Sequence, residues 1–216
     1  MIRRPPRSTL SSSSAASDVY KRQVAECALD AGADIINDIS ALRVDPDMGA
    51  LAAERKIPVI LMHMLGTPKT MQDNPYYDNV LAEIHSFFVE RIDYAVSQGI
   101  SNKKLILDPG IGFGKRLQDN LTLIKELSFF KDFNLPLLIG PSRKSFIGAI
   151  LDLPAAKRLE GTLASITAGI LSGAHIVRVH DVEAVKKAVL VTDAILASSV
   201  QKEHLPEKQN KGTAYA

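Results

Sequence analysis

The sequence predicts an α/β fold with a parallel sheet, and it favours an incomplete (β/α)8 TIM barrel with about five of the eight β/α units. Short apolar runs alternate with segments of helical periodicity along most of the chain. The runs are almost continuously apolar, which is typical of parallel strands covered by helices. Alternation alone also allows a doubly wound sheet. Polar and glycine-bearing segments follow the ends of the runs, and in a barrel these ends meet on one face, which favours the barrel.

The first 23 residues differ from the rest of the chain in composition. They contain Pro5-Pro6, four consecutive serines from Ser11, and no apolar periodicity. We expect them to be disordered, because such a segment buries too little surface to offset its chain entropy. The string resembles a translated sequencing adapter, so we interpret it as a non-native leader. A genuine transit peptide is the alternative, and a signal peptide is disfavoured by the lack of an apolar core.

Composition excludes several function classes. The formal net charge is +2, but the leader carries five basic residues and one acid, so the remainder is slightly acidic and nucleic acid is not an expected partner. No apolar run approaches the roughly 18–20 residues of a membrane span. Cys27 is the single cysteine, which excludes a disulfide framework and indicates a reducing compartment. We expect a cytoplasmic protein, or an organellar one in a eukaryote, with Cys27 buried on a helix.

The first half of the domain, residues 24–99, is predicted to contain three helices and two strands. The helices span residues 24–31, 47–56 and 78–98, and the strands span residues 33–37 and 59–63. Gly32 and Gly99 follow helices directly and suit left-handed C-caps. The third helix is amphipathic, with apolar positions at Val80, Leu81, Ile84, Phe87, Phe88, Ile92 and Ala95.

The second half continues the alternation. Strands are predicted at residues 105–107, 137–139 and 176–179, and helices at residues 120–127, 143–151, 159–171 and 182–197. Gly173 suits the C-cap of the small-residue helix before it. The barrel domain therefore spans residues 24–200, and the polar tail, residues 201–216, is predicted to be disordered.

The strand ends carry the candidate chemistry. They read Asn37-Asp38, His63-Met64, Asp108-Pro109-Gly110, residues 140–145 (GPSRKS) and residues 178–181 (RVHD). Each has a simple structural explanation as well. Asn37 and Asp38 can cap a turn, and His63 on an apolar strand is more often a core residue than a catalyst. Arg178 lies within the apolar run IVRVH, where we expect it to be buried and to need an anionic partner.

The run LDPGIGFGKR, residues 107–116, is the most specific segment. Its glycines Gly110, Gly112 and Gly114 allow tight turns and close approach to a ligand. It matches neither a dinucleotide-binding GxGxxG, since no helix begins inside it, nor a phosphate-binding Walker A loop, whose spacing differs. Phe113 offers a ring for a flat substrate, or it packs within the loop.

Four segments resemble motifs of dihydropteroate synthase, a member of the pterin-binding family. They are LMHMLGTPKTMQ (61–72), LILDPGIGFGK (105–115), GPSRKSFIG (140–148) and IVRVHDV (176–182). Together with AGADIIND (31–38), they cover nearly all of residues 24–197 in the family's order and spacing. The chain is therefore identified as an N-terminally truncated member.

The resemblance implies a (β/α)8 barrel of folate biosynthesis. Such transferases join 6-hydroxymethyl-7,8-dihydropterin pyrophosphate to p-aminobenzoate, giving 7,8-dihydropteroate and pyrophosphate. It implies pterin contacts from Asn37, Asp108 and Lys144, pyrophosphate contacts from Arg178 and His180, and p-aminobenzoate contacts from Phe113, Ser142 and Arg143. Lys144, Arg178 and His180 would be the catalytic residues. It also implies a Mg²⁺ cofactor and a homodimer.

This sequence departs from the family at its start. The family opens with an Asn-bearing loop that binds magnesium and pyrophosphate, then a second loop and a strand ending in Asp-Thr. None of these is present, so we expect three of eight strands and the metal ligands to be missing. Since five strands cannot close a barrel, we expect this chain to fold poorly and to be inactive alone.

Two other functions stay open. One is the methyltetrahydrofolate-binding barrel of a corrinoid methyltransferase, which would share the Asn and Asp contacts to the pterin ring. The SRKS and RVHDV segments, placed to bind anions, favour the synthase. The other is a non-catalytic barrel fragment that binds a partner.

Overall fold

The computed structural model describes residues 21–198. The predictions for the leader before residue 21 and for the polar tail lie outside the described residues. Within them, the first helix begins at Lys21, so the last three residues of the predicted disordered leader are helical.

Five strands alternate with seven α-helices. The strands are β1 (Ile36–Asp38), β2 (Val59–Met62), β3 (Leu105–Asp108), β4 (Leu138–Ile139) and β5 (Ile176–Val177). The helices are α1 (Lys21–Asp30), α2 (Met48–Arg55), α3 (Val80–Ser97), α4 (Leu117–Lys125), α5 (Ser145–Leu151), α6 (Leu159–Leu171) and α7 (Val182–Ala197). Three 3₁₀ helices lie between them, at Asn102–Lys104, Leu127–Phe133 and Ala155–Lys157.

All neighbouring strands are parallel and follow one another in chain order. β1, β2 and β3 form one sheet, β4 and β5 a second, and a parallel bridge between Leu107 and Leu137 connects the two. A doubly wound sheet reverses its strand order at a switch point, whereas a barrel adds each strand beside the last. The strand order is therefore that of a barrel, which does not close within residues 21–198.

The strand residues alternate between two apolar layers. Ile60, Ile106 and Leu138 form a small cluster on the concave side, with Ile176 packed against it. Their neighbours along the strands, such as Leu61 and Leu107, belong to the large core beneath the helices. Asn37 is level with Ile60 across the sheet, and Asp108 is level with Met62. Asp108 therefore lies two residue positions nearer the carboxyl ends of the strands than Asn37.

α3 is the longest of the described helices and packs one face against the core. Asn79 caps it by accepting hydrogen bonds from the backbone N–H groups of Leu81 and Ala82. Its buried residues lie at helical spacing on one face and are Val80, Ile84, Phe88, Arg91 and Ala95.

Cys27 corrects one expectation. It is exposed, whereas Ala25 and Leu29 of the same helix pack against the core. Because residues two positions apart lie on nearly opposite sides of an α-helix, Cys27 faces away from the core.

Among the described residues, no helix combines the length and apolar character that a membrane crossing needs.

Candidate functional site at the carboxyl ends of the strands

Asp108 ends β3 and is the buried carboxylate at the centre of the site. Its Oδ1 accepts a hydrogen bond of 2.8 Å from the backbone N–H of Gly110. Burial raises the pKa of Asp108 to about 6, while that hydrogen bond and the positive charges of Lys115, Lys144 and Arg178 favour its ionised form. Three basic groups from three different segments therefore lie close to one carboxylate.

Lys115 is buried at the end of the loop that follows β3. Its Nζ lies 3.0 Å from Nδ1 of His63 and donates to the carbonyl oxygen of Phe113 at 3.1 Å. Burial lowers the pKa of Lys115 to about 7, although Asp108 and Asp119 act in the opposite direction. Burial also holds the pKa of His63 far below its ordinary value, so His63 is neutral and its Nδ1 can accept from Lys115.

Lys144 reaches the same region from the loop between β4 and α5. Its Nζ lies 4.0 Å from the centroid of the Phe113 ring, a cation–π contact. Burial lowers the pKa of Lys144, and Arg178 lowers it further, while Asp108 opposes both. A Cβ atom at Gly112 would lie 3.0 Å from Cδ of Lys144, so the glycine makes room for the lysine stem.

Ser142 and His180 connect the ends of β4 and β5. The Oγ of Ser142 lies 2.9 Å from Nδ1 of His180 and accepts from the backbone N–H of His180 at 3.2 Å. Arg143 donates from Nε to Asp181 at 3.0 Å and forms a second ion-pair contact with the same carboxylate. Its φ of 58° is in the left-handed region, and Thr162 accepts from its backbone N–H. Arg143 therefore lies beside Asp181.

Arg178 is exposed, so the expectation that it is buried was wrong, although its charge acts on the Asp108 carboxylate. Its strand, β5, pairs with β4 on one side and has no second neighbouring strand within residues 21–198. Asn37 is exposed as well, on the other outermost strand of the described residues. Its neighbour Asp38 is the residue that caps the turn, accepting from Ser40 and Leu42.

The glycine-rich loop, residues 109–116, is held tightly against the loop after β2. Gly110 has a φ of 70°, and a Cβ there would lie 1.9 Å from the carbonyl oxygen of His63, so no side chain fits. Tyr77 donates its hydroxyl to the carbonyl oxygen of Gly114 at 2.8 Å, and Gln72 donates to that of Gly112 at 2.9 Å. These contacts fix the backbone that carries Phe113 and Lys115.

The described residues do not fit a protein-bound magnesium ion. No group of three or more His, Cys, Asp or Glu side chains within them converges as a metal site would require. At the strand ends, Asp38 is engaged by the backbone of the turn after β1, and Asp108 lies near the positive charges of Lys115, Lys144 and Arg178, which favour anions over cations.

Two open cavities lie away from this cluster. One, of about 440 Å³, is lined by residues at the opposite ends of β4 and β5, namely Lys131, Asn134, Leu135, Pro136 and His175. The other, of about 460 Å³, lies along α3. Neither contains a residue that the sequence singled out for chemistry.

The structure brings Asp108, Lys144, Phe113 and Arg178 to one edge, with the Ser142–His180 pair beside them. Sequence reasoning missed Lys115, which was quoted only as part of the glycine-rich run. In the sequence, Lys115 could have been recognised only by its position directly after Gly114, the last of the three loop glycines. Its partner His63 lies 52 residues away in sequence.

Comparisons with known proteins agree with this picture. The family model "Pterin binding enzyme" matches residues 14–180. The chain is 46% identical over 187 residues to dihydropteroate synthase of Escherichia coli, covering 87% of this chain and 66% of that protein. It therefore spans slightly less than two thirds of that relative.

Solved structures are similar as well. Dihydropteroate synthase of Yersinia pestis, in a sulfonamide drug complex, superposes with a TM-score of 0.80 at 42% identity, covering 84% of this chain and 66% of that one. The Xanthomonas albilineans enzyme in complex with 7,8-dihydropteroate gives a TM-score of 0.77 at 38% identity, with coverages of 84% and 66%. The predicted incomplete barrel is thereby confirmed.

Proposed function

Because the chain belongs to the pterin binding enzyme family, we propose that it carries the pterin-binding site of a dihydropteroate synthase. The reaction joins 6-hydroxymethyl-7,8-dihydropterin pyrophosphate to p-aminobenzoate. The observation that carries the proposal is the buried Asp108, with Lys115, Lys144 and Arg178 close enough to favour its charged form. A carboxylate in a mostly basic site suits a substrate with a ring that donates hydrogen bonds and a tail that is an anion.

The pterin ring would bind at Asp108. Its 2-amino group and adjacent ring N–H donate along one edge, and a carboxylate can accept both hydrogen bonds. Asn37 would contact the ring from β1, one layer below. Lys144 would lie over the ring from the side of Phe113, since its stem already passes Gly112.

The pyrophosphate would lie towards β5. The amine of p-aminobenzoate attacks the pterin methylene carbon, the carbon–oxygen bond to pyrophosphate breaks, and its electron pair leaves with pyrophosphate. The amine nitrogen then loses a proton. Arg178 and His180 would stabilise the departing anion, and both are exposed just after the end of β5. Most of the catalysis would come from positioning and charge stabilisation.

The p-aminobenzoate would lie between the two loops after β3 and β4. Phe113 would flank its ring, and Ser142 and Arg143 would be near its carboxylate. Arg143 already pairs with Asp181, so it would act on the carboxylate either by sharing that pair or by leaving it. The Xanthomonas albilineans enzyme has been solved with 4-aminobenzoic acid, at 40% identity to this chain.

The corrinoid methyltransferase alternative is not favoured. The relatives described above are dihydropteroate synthases, and the two segments that distinguished the synthase in sequence are in contact through Ser142–His180 and Arg143–Asp181.

Three further properties belong to the proposal. By family resemblance, the intact enzyme would use Mg²⁺ with its pyrophosphate substrate, form a homodimer and work in the cytoplasm. No residue described here is assigned to the metal, and the ammonium and guanidinium groups of this chain would act on the pyrophosphate directly.

The proposal is tested by calorimetric titration of the chain with 6-hydroxymethylpterin. Asp108→Asn should weaken binding about 10- to 100-fold, because it removes charge-assisted hydrogen bonds worth roughly 1.5–3 kcal/mol. Asp93→Asn, on the exposed side of α3, is the matched control and should bind like the original chain. Equal affinity of all three proteins would contradict the assignment of Asp108.

Turnover is a separate measurement. Formation of 7,8-dihydropteroate from both substrates by the 216-residue chain would contradict the prediction that it is inactive alone. No pterin binding by the original chain would instead favour the non-catalytic reading.

A further inference from the structure

We propose that Lys115 is a positioning residue of this site: its buried amino group holds the glycine-rich loop on the end of β2 and keeps the Asp108 carboxylate charged. Its importance for catalysis rests on the proposed function, whereas its effect on Asp108 does not. The family resemblance assigned no role to this lysine.

Lys115 is buried and makes two contacts that join separate loops. Its side chain is only 4% exposed, which is unusual for a lysine. Its Nζ bonds to His63 after β2 and to the carbonyl of Phe113 within the glycine-rich loop. One amino group therefore connects two loops that both border Asp108.

Gly110 lies very close to the carbonyl oxygen of His63. A Cβ atom there would lie 1.9 Å from the carbonyl oxygen of His63 and 3.5 Å from Nζ of Lys115. The same Gly110 donates its N–H to Asp108. Because Gly110 contacts all three residues, a shift of the Lys115 amino group would be transmitted to the groups around Asp108.

Lys115 is surrounded by charged and polar groups from several segments. The residues that face it are His63 and Tyr77 from the β2 side, Asp108 from β3, Asp119 from α4 and Lys144 from the loop after β4. His63 is neutral, and Lys144 is repulsive. Asp108 and Asp119 are thus the groups that stabilise a charged Lys115, and Asp119 is also engaged by Arg116.

Lys115 and Asp108 each favour the charged form of the other. Burial alone favours a protonated Asp108, which could not accept two hydrogen bonds from the pterin edge. Of the positive charges that oppose this effect, Lys115 acts most strongly, ahead of Lys144 and Arg178. Of these three, Lys115 is the buried one, so its charge is the least screened by solvent.

The test is an NMR titration of the chain between pH 4 and 9, following the side-chain carboxyl carbon of Asp108. Lys115→Met removes the charge and the donors, and Lys115→Gln removes the charge but keeps a donor. Lys125→Met is the matched control, because its side chain is 82% exposed on α4. Asp108 should become about a tenfold weaker acid in both Lys115 variants and stay unchanged in the control.

The two Lys115 variants separate charge from position. The backbone amide signals of Gly112 and Gly114 should move in Lys115→Met and move less in Lys115→Gln, which can still donate to His63. An Asp108 titration that is the same in all four proteins would overturn the proposal.

A measurement on the original chain tests the proposal even if the Lys115 variants fail to fold. In the original chain, the Nζ of Lys115 should titrate near pH 7, separately from the exposed lysines. Titration together with them near pH 10.4 would show that the amino group is not buried between the two loops, which would overturn its positioning role without any substitution. Loss of pterin binding by the original chain would contradict the proposed function, whereas an insensitive Asp108 would contradict the role of Lys115.

Discussion

The β2–β3 region and the β5–α7 region of this chain differ in how completely they are packed. Leu61, Leu105 and Leu107 are fully buried, whereas both residues of β5 are only partly buried. α3 buries five residues, but α7 buries only Val185 and Thr192. α7 also exposes large apolar side chains at Val182, Leu190, Val191, Ile195 and Leu196.

This difference divides the candidate site into a fixed half and an open half. The proposed pterin side, with Asp108 and Lys115, lies in the packed region and is held by the glycine-rich loop. The proposed pyrophosphate side, with Arg178 and His180, follows the end of β5 and is exposed. A close-packed interior holds a carboxylate in one position, whereas exposed side chains sample several rotamers. Under the proposed function, the described residues would therefore preorganise recognition of the pterin ring more than recognition of the pyrophosphate.

The largest expected effect tests the packing contrast. Phe88→Ala in α3 should lower the free energy of unfolding by about 3–5 kcal/mol, because it opens a cavity at a fully buried position. Leu190→Ala in α7, whose side chain is 60% exposed, should change it by less than about 0.5 kcal/mol. Urea unfolding followed by circular dichroism measures both. Similar losses in the two variants would mean that α7 is as well packed as α3.

The next effect is the pH dependence of stability that the buried groups Asp108 and Lys115 of the packed half should cause. The folded-state pKa of Asp108, about 6, is above its ordinary value of 3.8, so the folded chain binds more protons and stability falls as pH rises through that window. The folded-state pKa of Lys115, about 7, is below its ordinary value of 10.5, so the unfolded chain binds more protons there and stability rises again between those values. At about 1.4 kcal/mol per pKa unit, the changes should be about 3 kcal/mol for Asp108 and about 5 kcal/mol for Lys115.

The pH effect is measured as the free energy of urea unfolding from pH 4 to pH 10. The double variant Asp108→Asn, Lys115→Met should lack the minimum near pH 6–7 that the pair predicts. If the original chain and the double variant give parallel curves, the two groups are not buried as described.

A smaller effect is expected in the open half. Ser142→Ala should lower stability by about 1 kcal/mol, because it removes the hydroxyl that links the ends of β4 and β5 through His180. Ser86→Ala, on the exposed face of α3, is the control and should be nearly neutral. Thermal unfolding compares the three proteins. A neutral Ser142→Ala would show that the contact with His180 contributes nothing to the link.

The smallest effect concerns the outer surface of the glycine-rich loop. Gln72→Ala removes an exposed hydrogen bond to the carbonyl of Gly112 and should cost about 0.5 kcal/mol. Amide hydrogen exchange at Gly112 and Phe113 should become about twofold faster, with the core of β3 unaffected. Unchanged exchange would leave the buried Tyr77 hydroxyl as the contact that holds this loop.

Much of the fold could be predicted because apolar periodicity is a local signal. The bounds of α6 and α7 agree with the prediction, and all five strands were found. α4 begins at Leu117, three residues earlier than predicted, because the Asp119 carboxylate in its first turn accepts hydrogen bonds from the backbone N–H and the guanidinium of Arg116. The 3₁₀ helix at Leu127–Phe133 was missed, since its short turn has no lasting apolar period.

The candidate site was predicted less completely, for a physical reason. Asp108 and Lys144 lie at strand ends, which sequence can locate, and the strand order brings them together. The burial of Lys115 depends on His63 and on the close contact at Gly110, and both are tertiary features. Arg178 was expected to be buried because its neighbours are apolar, but burial also depends on a second neighbouring strand. The roles assigned to individual site residues stay predictions.

The most direct test of the central claim, that the pterin ring binds at Asp108 in the packed half, is NMR shift mapping with 6-hydroxymethylpterin. The account predicts shifts at Asp108, Gly110, Gly112 and Lys144, and none at the distant cavity lined by Pro136 and His175. Shifts that cluster at that cavity, or no shift at Asp108 when the ligand is bound, would contradict it.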